Sequence, residues 1–320
     1  MMEMVYDLII LGGGPAGLSA GIYAGRSLLN TLIIDKGEPG GQLLTTTDIV
    51  NYPGMIKIDG NTLSNKLFEH ARNFGVEYVN AQIKKIDFSG DVKKLFSRNK
   101  EFHARSIIIA TGASPRKIGF TGEAEFAGRG VSYCATCDGA FFAGMDIFVV
   151  GGGYAAAEEA LFLTKFGRKI TMLIRRNVFS CAKSLEMQVR NHPKIEVMFH
   201  TEIEKCEGDF ALRSLILKNN QTGEFSVYTP PEKDGMFGIF VFAGSVPATE
   251  LIKDVITLDE NGFVITDSNS LETSIPGVYA AGDLRQKQLR QIVTAVSDGA
   301  IAASAAEKYM AGIKLMLENE

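Results

Sequence analysis

Two cysteines and an acid form the most reactive pattern in the chain, Cys134-Ala135-Thr136-Cys137-Asp138. Thiols at this spacing can close a small disulfide ring and can accept or release a pair of electrons. A zinc site is the alternative, but zinc needs further ligands. Cys181 and Cys206 are isolated, and none of the four histidines forms a paired spacing with them. The pattern therefore predicts a redox-active dithiol and no metal site.

A glycine-rich loop lies upstream of the dithiol, in Gly12-Gly13-Gly14-Pro15-Ala16-Gly17. It follows an apolar run over residues 6–11 that is typical of a buried parallel strand. A second apolar run over residues 31–34 ends at Asp35, 21 positions after Gly14. Glycines at a helix start let backbone N–H groups approach a pyrophosphate, and an acid at that distance accepts hydrogen bonds from a ribose. The segment predicts a bound adenine dinucleotide; a tight turn without a ligand is the alternative.

A second loop of the same kind, Gly151-Gly152-Gly153-Tyr154-Ala155-Ala156, lies downstream of the dithiol. After a helix and a strand over residues 169–174, this copy ends in Arg175-Arg176, and Arg175 lies 22 positions after Gly153. Arginines there suit the 2′-phosphate of NADP, and a solvated basic strand end is the alternative. The order of the three motifs suggests electron transfer from a nucleotide through a flavin to a disulfide.

Strands and helices alternate along the chain, which predicts an α/β fold with two Rossmann-like, three-layer nucleotide-binding domains. A chain of 320 residues is long enough for two such domains. A strand and turn over residues 275–283 return the chain to the first domain. We predict a discontinuous first domain, residues 1–116 and 247–320, and an inserted second domain, residues 117–246, that carries the dithiol.

Local patterns predict further elements around the first loop. A helix of small residues runs over residues 15–30, and an amphipathic helix runs over residues 62–74. Residues 36–43 are too rich in glycine to form an element and are expected to pass close to a ligand. A long helix starts near Arg290-Gln291-Ile292, beside Gly282-Asp283. Its start is a second candidate for contact with polar groups of a cofactor.

Composition and charge limit the classes of partner that the chain can have. The net charge is −4, so nothing marks the chain as a binder of nucleic acid or of an anionic membrane. No apolar run approaches the ~20 residues needed to span a bilayer. The N-terminal residues carry acids and show neither a basic region nor a cleavage site. We predict a cytoplasmic protein with no nucleic-acid or membrane partner.

Five motifs together resemble those of the low-molecular-weight, bacterial-type thioredoxin reductases. They are Gly12-x-Gly14-x-x-Gly17, Gly40-Gly41-Gln42-Leu43, Ala110-Thr111-Gly112-Ala113, Cys134-Ala135-Thr136-Cys137-Asp138, and Gly282-Asp283 through Leu289-Arg290-Gln291-Ile292-Val293. The resemblance runs essentially end to end, and the dithiol and tail motifs are specific to that family. It implies a pyridine nucleotide-disulfide oxidoreductase fold, FAD in the discontinuous domain and NADPH in the inserted one. It also implies a homodimer, with thioredoxin or a thioredoxin-like protein as partner.

The resemblance implies roles for single residues as well. Cys137 is the thiol beside the flavin, Cys134 attacks the thioredoxin disulfide, and Asp138 acts as acid or base. The two domains rotate about linkers near residues 115–119 and 244–247, so that the dithiol meets the flavin and the substrate in turn. The residues expected to bind FAD are Gly12, Gly14, Pro15, Ala16, Gly17, Asp35, Gly41, Gln42, Asn51, Thr111, Gly112, Gly282, Asp283, Arg290, Gln291 and Ile292. Those expected to bind NADPH are Gly151, Gly153, Ala156, Arg175 and Arg176.

The chain departs from this family around the second glycine loop. The family has Asp or Asn and then Ser or Thr after the third glycine, where this chain has Tyr154 and Ala155. The family's basic motif reads His-Arg-Arg with another Arg four positions later, where this chain has Ile174, Arg175-Arg176 and Ser180. Half of the phosphate donors are thus missing. NADPH remains the leading electron donor, and NADH and ferredoxin are the alternatives.

Two other functions fit the same motifs. A flavin-dependent dithiol oxidase would pass electrons from a small dithiol to oxygen and would need no nicotinamide site, but Arg175 and Arg176 would then have no role. A flavin-binding redox sensor would use the dithiol as a switch and would not be an enzyme. Oxygen consumption with added dithiol would favour the oxidase, and rapid turnover of a protein disulfide would exclude the sensor.

Overall fold

The computed structural model describes residues 4–46 and 49–318. The strands are β1 (Val5–Leu11), β2 (Thr31–Asp35), β3 (Glu77–Asn80), β4 (Lys85–Asp87), β5 (Lys93–Phe96), β6 (Glu101–Ile109), β7 (Ala113–Pro115), β8 (Val131–Ser132), β9 (Asp146–Val150), β10 (Lys169–Ile174), β11 (Ile195–Phe199), β12 (Thr201–Gly208), β13 (Leu212–Asn219), β14 (Phe225–Tyr228), β15 (Gly238–Val241), β16 (Ser245–Pro247) and β17 (Val278–Ala280). The helices are α1 (Pro15–Arg26), α2 (Gly60–Asn73), α3 (Ala135–Asp138), α4 (Tyr154–Leu163), α5 (Lys183–Asn191) and α6 (Ile292–Glu318).

The chain forms two compact units. One contains the residues up to Ser114 together with those from Val246 onward, and the other is Pro115–Ser245. The two connections, β7 and β16, pair with each other as a two-stranded sheet. These boundaries lie beside the sequence-predicted ones at residues 116 and 247. Which nucleotide each unit binds remains a prediction.

The first unit is built on a seven-stranded sheet with the order β3-β2-β1-β6-β5-β4, and β17 pairs with the second half of β6. Strands β3, β2, β1, β6 and β17 are parallel, whereas β5 pairs antiparallel with β6 and β4. Both faces of β1 are covered, since Leu8, Ile9 and Ile10 are fully buried. The carboxyl ends of the parallel strands meet at one edge of the sheet, where ligands of such folds bind.

Small residues bring α1 and α6 close together on one face of this sheet. A Cβ atom added at Gly299 would lie 2.1 Å from the carbonyl oxygen of Ala16. The helices therefore approach to backbone contact, which fixes the start of α6 beside the first glycine loop. Ala20, Ala302 and Ala306 are buried in the same core.

The second unit contains a five-stranded parallel sheet with the order β11-β10-β9-β15-β8 and a separate antiparallel sheet, β12-β13-β14. Ile147, Ile170 and Phe240 are fully buried in its core. The dithiol follows β8 and the second glycine loop follows β9. Because all five strands are parallel, both motifs lie at the same edge of the sheet.

Two local predictions were wrong, besides the start of α2, which lies at Gly60, two residues before the predicted one. Helix α1 ends at Arg26 rather than at residue 30, because Leu28 adopts a left-handed backbone with φ of 59° and its N–H bonds to the Gly25 carbonyl. The glycine-rich stretch predicted to lack any element contains a short 3₁₀ helix, Gly41–Thr45. Among the described residues, no helix is both long and apolar enough to cross a membrane.

Candidate active site

Cys134 and Cys137 form a disulfide, with their Cα atoms 5.3 Å apart. Cys134 precedes the short helix α3, and the Cys137 N–H donates to Cys134 Sγ at 3.2 Å. Both cysteines are half-buried and Thr136 between them is exposed. The turn of helix thus holds the two sulfurs together at the sheet edge while leaving one side of the ring open.

Asp138 follows the disulfide and is the predicted acid or base. Burial raises the pKa of its carboxyl group, and a hydrogen bond from Ser132 opposes that shift. The Ser132 hydroxyl donates to Asp138 Oδ2 at 2.6 Å. The carboxyl group therefore keeps its proton to a higher pH than an exposed aspartate does, which suits an acid for a leaving thiolate.

Glu123 is a buried carboxylate, 3% exposed, that contacts the residue before Cys134. It accepts hydrogen bonds from the Ile118 and Gly119 N–H groups at 3.1 and 2.5 Å and from the Tyr133 hydroxyl at 2.9 Å. Burial, together with Glu123, raises the pKa of Tyr133. Glu123 thus fixes the residue before Cys134 to the start of the unit. Sequence reasoning missed it, because no spacing signal links residues 119, 123 and 133.

The first glycine loop has the geometry that a phosphate needs. Gly12 has a φ of +117°, and a Cβ there would lie 2.3 Å from the Ala110 carbonyl oxygen. At Gly17 a Cβ would lie 1.8 Å from the Gly12 carbonyl oxygen, so the helix can approach the loop only with glycine there. Gly14, in contrast, faces open space and immediately precedes Pro15, the first residue of α1. The loop is closed towards the protein and open at the helix start.

Asp35 ends β2 beside this loop. Its carboxylate accepts hydrogen bonds from Gly13 N–H at 2.5 Å and from Gly37 N–H at 3.0 Å. Gly41, with a φ of +55°, lies next to Gly14 and would place a Cβ 3.2 Å from its Cα. Asp35 therefore orders the two glycine-rich segments against each other, and its remaining acceptor sites are those predicted to bind a ribose.

Other predicted FAD residues lie at the same edge. The Asn51 side-chain amide donates to the side-chain oxygen of Gln291 at 3.0 Å, and the Thr111 hydroxyl donates to the Ala248 carbonyl at 2.8 Å. The Gln42 amide donates to the Ala113 carbonyl. Gly112 has a φ of +74° and faces open space. The structure therefore brings residues from both ends of the chain together in the first unit.

The turn Gly282-Asp283 is held by a buried charge cluster. Gly282 N–H donates to Asp298 Oδ2 at 3.0 Å, and the same oxygen accepts from Arg285 and Lys287 at 2.9 Å each. Sequence reasoning missed Asp298 because it acts on a turn 16 positions away. Asp283 Oδ1 is buried and has no hydrogen-bond partner among the described atoms, since Lys287 Nζ lies 3.7 Å away. Burial raises the pKa of Asp283.

The start of α6 completes this edge. Helix α6 begins at Ile292, so its first N–H groups carry the positive end of the helix dipole. The Arg290 guanidinium lies over the Phe263 ring, 4.1 Å from its centroid, and donates to the Asp283 carbonyl at 3.3 Å. Burial lowers the pKa of Arg290. Ala16 contacts Gly282, where a Cβ would lie 2.9 Å from that of Ala16.

The second glycine loop has a similar backbone but different side chains. Gly151 has a φ of +134°. Gly153 is the residue immediately before α4, and Ala156, in the first turn of that helix, is buried. Ser180 N–H donates to the Gly152 carbonyl at 2.8 Å. A neutral serine thus lies at the loop where the family has an arginine. Tyr154, the first residue of α4, is 56% exposed.

Arg175 and Arg176 are exposed immediately beyond β10. The Arg175 carbonyl accepts a hydrogen bond from the Asn220 side chain at 2.9 Å, which holds the backbone of Arg175 in place. Parallel β9 and β10 place these arginines at the sheet edge that carries the glycine loop. Arg175 and Arg176 are therefore both available at this edge, whereas Ile174 and Ser180 stand where the family has its other two phosphate donors.

The remaining thiols show no reactive environment. Cys206 is buried, and burial raises the pKa of its thiol to about 11. Burial also raises the pKa of Cys181, which is half-buried. Among the described residues, no group of three or more His, Cys, Asp or Glu side chains could hold a metal ion. The reactive sulfur of the described chain is therefore the Cys134–Cys137 pair.

Comparisons with known proteins agree with this geometry. The sequence matches the family described as pyridine nucleotide-disulphide oxidoreductase over residues 6–299. It is 47% identical to thioredoxin reductase of Peptoclostridium acidaminophilum over 97% of this chain and 98% of that protein. It is 41% identical to thioredoxin reductase of Bacillus subtilis strain 168 over 96% of each. The crystal structure of thioredoxin reductase from Streptococcus pyogenes matches with a TM-score of 0.89 at 40% identity, covering 96% of this chain and 99% of that one.

Proposed function

The chain belongs to the thioredoxin reductases of the pyridine nucleotide-disulphide oxidoreductase family, and we propose that it passes electrons from NADPH through FAD and the Cys134–Cys137 dithiol to thioredoxin or a thioredoxin-like protein. One observation carries the proposal. The Cys134–Cys137 disulfide lies half-buried at the edge of a parallel sheet, and the half-buried acid Asp138 follows it directly in the chain. That arrangement suits exchange with another disulfide.

The residues of the first unit fit FAD. Gly14 leaves open space at the start of α1, where a pyrophosphate can accept from backbone N–H groups. The buried Oδ1 of Asp283 has only the Lys287 ammonium group near it, at 3.7 Å, and a cofactor hydroxyl could donate to it at hydrogen-bond distance. The start of α6 favours negative charge on the bound group. When bound, FAD supplies the transfer of electron pairs between a nicotinamide and a disulfide.

The sulfur chemistry then follows from the chain's own residues. In the reduced protein the Cys134 thiolate attacks a sulfur of the partner disulfide, breaks its S–S bond and forms a mixed disulfide. Asp138 protonates the sulfur that leaves. Cys137 next attacks Cys134 Sγ, which re-forms the Cys134–Cys137 disulfide and releases the second partner sulfur. The partner gains two electrons, which the dithiol loses, and two protons, one from Asp138 and one from the Cys137 thiol.

NADPH is the proposed donor because Arg175 and Arg176 are exposed at the edge that carries the second glycine loop. Guanidinium groups form charge-assisted hydrogen bonds with a 2′-phosphate, which NADH lacks. Ser180 at the Gly152 carbonyl weakens this clamp. Ferredoxin and NADH are therefore included in the test as alternative donors.

Anaerobic bleaching of the flavin tests the donor. The protein is mixed in turn with NADPH, NADH and reduced ferredoxin, and the rate of bleaching is followed in a stopped-flow spectrometer. We expect NADPH to bleach the flavin fastest, and Arg175→Ala with Arg176→Ala to remove that preference over NADH. Lys183→Ala, a nearby exposed cation beyond the motif, is the control and keeps the preference. A wild-type rate with NADPH no greater than with NADH contradicts the arginine argument.

The family also implies a homodimer and a reducing compartment. A dithiol that must be reduced in every turnover fits the cytoplasm, where thiols are kept reduced. Light scattering on the FAD-containing protein as it elutes from a size-exclusion column measures the mass of the assembly. We expect the mass of two chains, and the mass of one chain contradicts the dimer.

A further inference from the structure

Ser132 is the last residue of β8, two positions before Cys134, and it contacts Asp138. Its side chain is 4% exposed at the end of β8. Its hydroxyl oxygen lies 2.6 Å from Asp138 Oδ2, 3.1 Å from the Cys134 nitrogen and 3.3 Å from the Cys134 carbonyl oxygen. One hydroxyl therefore contacts the half-buried Asp138 and both backbone polar groups of Cys134.

The hydrogen-bonding capacity of a hydroxyl decides which of these contacts can exist together. Serine has one donor and two acceptor sites. The Cys134 N–H donates to Ser132 in either case. If Asp138 is ionised, it can only accept, so the single Ser132 proton goes to Asp138 Oδ2. If Asp138 is protonated, the carboxyl group can donate to Ser132, and the Ser132 proton is free to turn to the Cys134 carbonyl.

We propose that Ser132 is a positioning residue whose hydroxyl satisfies Asp138 in both protonation states and transmits each change of state to the backbone of Cys134. The proposal rests on the proposed function, in which Asp138 gains and loses a proton during disulfide exchange. Ser132 neither gains nor loses a proton; only the direction of its O–H bond changes. The acid and the attacking cysteine are thereby linked through a side chain and not only through the helix that joins them.

The hydrogen bond from Ser132 is the polar contact that acts on the Asp138 carboxyl group. Helix α4 packs against α3 and carries Glu158 and Glu159, and Glu123 faces the neighbouring Tyr133. The pKa of Asp138 is raised by burial and lowered by the hydrogen bond from Ser132. In the oxidised protein the two cysteines form a disulfide and do not titrate. The titration of Asp138 can therefore be followed without interference from these thiols.

The chain suits a direct measurement because it contains four cysteines. Oxidised, FAD-loaded protein labelled with ¹⁵N only in cysteine gives one backbone amide signal per cysteine. These signals are followed against pH in the wild type, Asp138→Asn, Ser132→Ala and Ser132→Thr. Ser106→Ala is the matched control, because Ser106 is also fully buried in a strand and donates to a backbone carbonyl, Gly277, at 2.8 Å.

We expect the Cys134 and Cys137 amide signals of the wild type to shift with one common midpoint, and both to be flat in Asp138→Asn. In Ser132→Ala the Cys137 signal still shifts, with its midpoint at higher pH, because the carboxylate has lost a donor. The Cys134 signal of that variant loses most of its shift. Ser132→Thr restores the wild-type behaviour of both signals, and Ser106→Ala does not change it.

A Cys134 signal that titrates in Ser132→Ala as it does in the wild type overturns the proposal. The proposal is also overturned if, in the wild type, the Cys134 amide signal does not change with pH while the Cys137 signal does. This measurement does not depend on the folding of any variant. The role of Asp138 in turnover is tested separately by thioredoxin reduction with Asp138→Asn. Unchanged turnover there refutes the acid role while leaving the measured link between Ser132 and Asp138 intact.

Discussion

At the scale of single residues, Asp138 shows how position determines chemistry. The carboxyl group is half-buried next to a disulfide, and its partial burial is the largest cause of its raised pKa. The proton is therefore retained above the pH at which an exposed aspartate loses it. Deprotonation puts a charge into a poorly solvated site, so the folded state is less stable at a pH above the raised value than below it.

This raised pKa predicts an alkaline limb in the rate of disulfide exchange. The protonated carboxyl group is the acid, and it is lost as the pH rises through the raised pKa. Asp138→Asn cannot release a proton and should lower the rate by about 10²-fold, the usual contribution of a general acid. The measurement is stopped-flow oxidation of pre-reduced protein by a thioredoxin disulfide, repeated across the pH range.

Asp87→Asn provides the control, because Asp87 is exposed and its carboxylate accepts hydrogen bonds from the backbone and side chain of Ser89, two residues on. It should keep the wild-type rate and pH profile. If Asp138→Asn retains the alkaline limb, that limb belongs to another group and the assignment of Asp138 as the acid is wrong.

At the scale of elements, the glycines of the first loop have two different roles. Two of them are required by the backbone of the protein, and one leaves room for a ligand. Gly12 and Gly17 face backbone oxygens so closely that no Cβ fits. Gly14 has a φ of −75°, which any residue can adopt, and no atom lies within 4 Å of a Cβ built there. Nothing in the protein itself requires glycine at this position.

Gly14→Ala should therefore fold normally and bind FAD poorly. The added methyl group occupies the space through which a pyrophosphate approaches the backbone, and we expect the affinity for FAD to fall at least about tenfold. Urea unfolding of the apoprotein and fluorescence titration with FAD measure the two effects. Gly312→Ala, in α6, also faces open space and should leave both values near those of the wild type or slightly raise stability. Unchanged affinity in Gly14→Ala means that the loop does not bind the pyrophosphate.

Elements that depend on local pattern could be predicted from the sequence. The apolar runs before the glycine loops are strands β1 and β9, and Asp35 ends β2 as its spacing indicated. Helix ends were less certain: α2 begins at Gly60, two residues before the predicted start, because the Asp59 side chain accepts from Thr62 N–H.

Contacts between distant positions could not be predicted. Ser132, Glu123 and Asp298 act on Asp138, Tyr133 and Gly282 through hydrogen bonds that exist only once the strands and helices are assembled. A serine at a strand end or an aspartate within a helix is common, so residue type alone carries no signal. These three residues position the chemistry without taking part in it, and the structure was needed to find them.

At the scale of the whole molecule, each unit presents its functional residues at the carboxyl edge of its own parallel sheet. The first unit gathers the predicted FAD residues from both ends of the chain, and the inserted unit carries the dithiol and the second glycine loop. Each unit has its own buried core. In the proposed function the first unit would hold the flavin and the inserted unit would carry out sulfur exchange, so the two roles would follow the connectivity of the chain.

The claim that the dithiol relays electrons from the flavin to a protein disulfide is tested most directly by reoxidation of the flavin. The FAD-loaded protein is photoreduced without oxygen, so that no nicotinamide or ferredoxin is needed, and is then mixed with oxidised thioredoxin. In the wild type the yellow absorbance should return as thioredoxin is reduced, whereas Cys134→Ser should keep FAD bound and remain bleached. Flavin reoxidation by thioredoxin that is equally rapid in Cys134→Ser would remove the dithiol from the pathway and contradict the account.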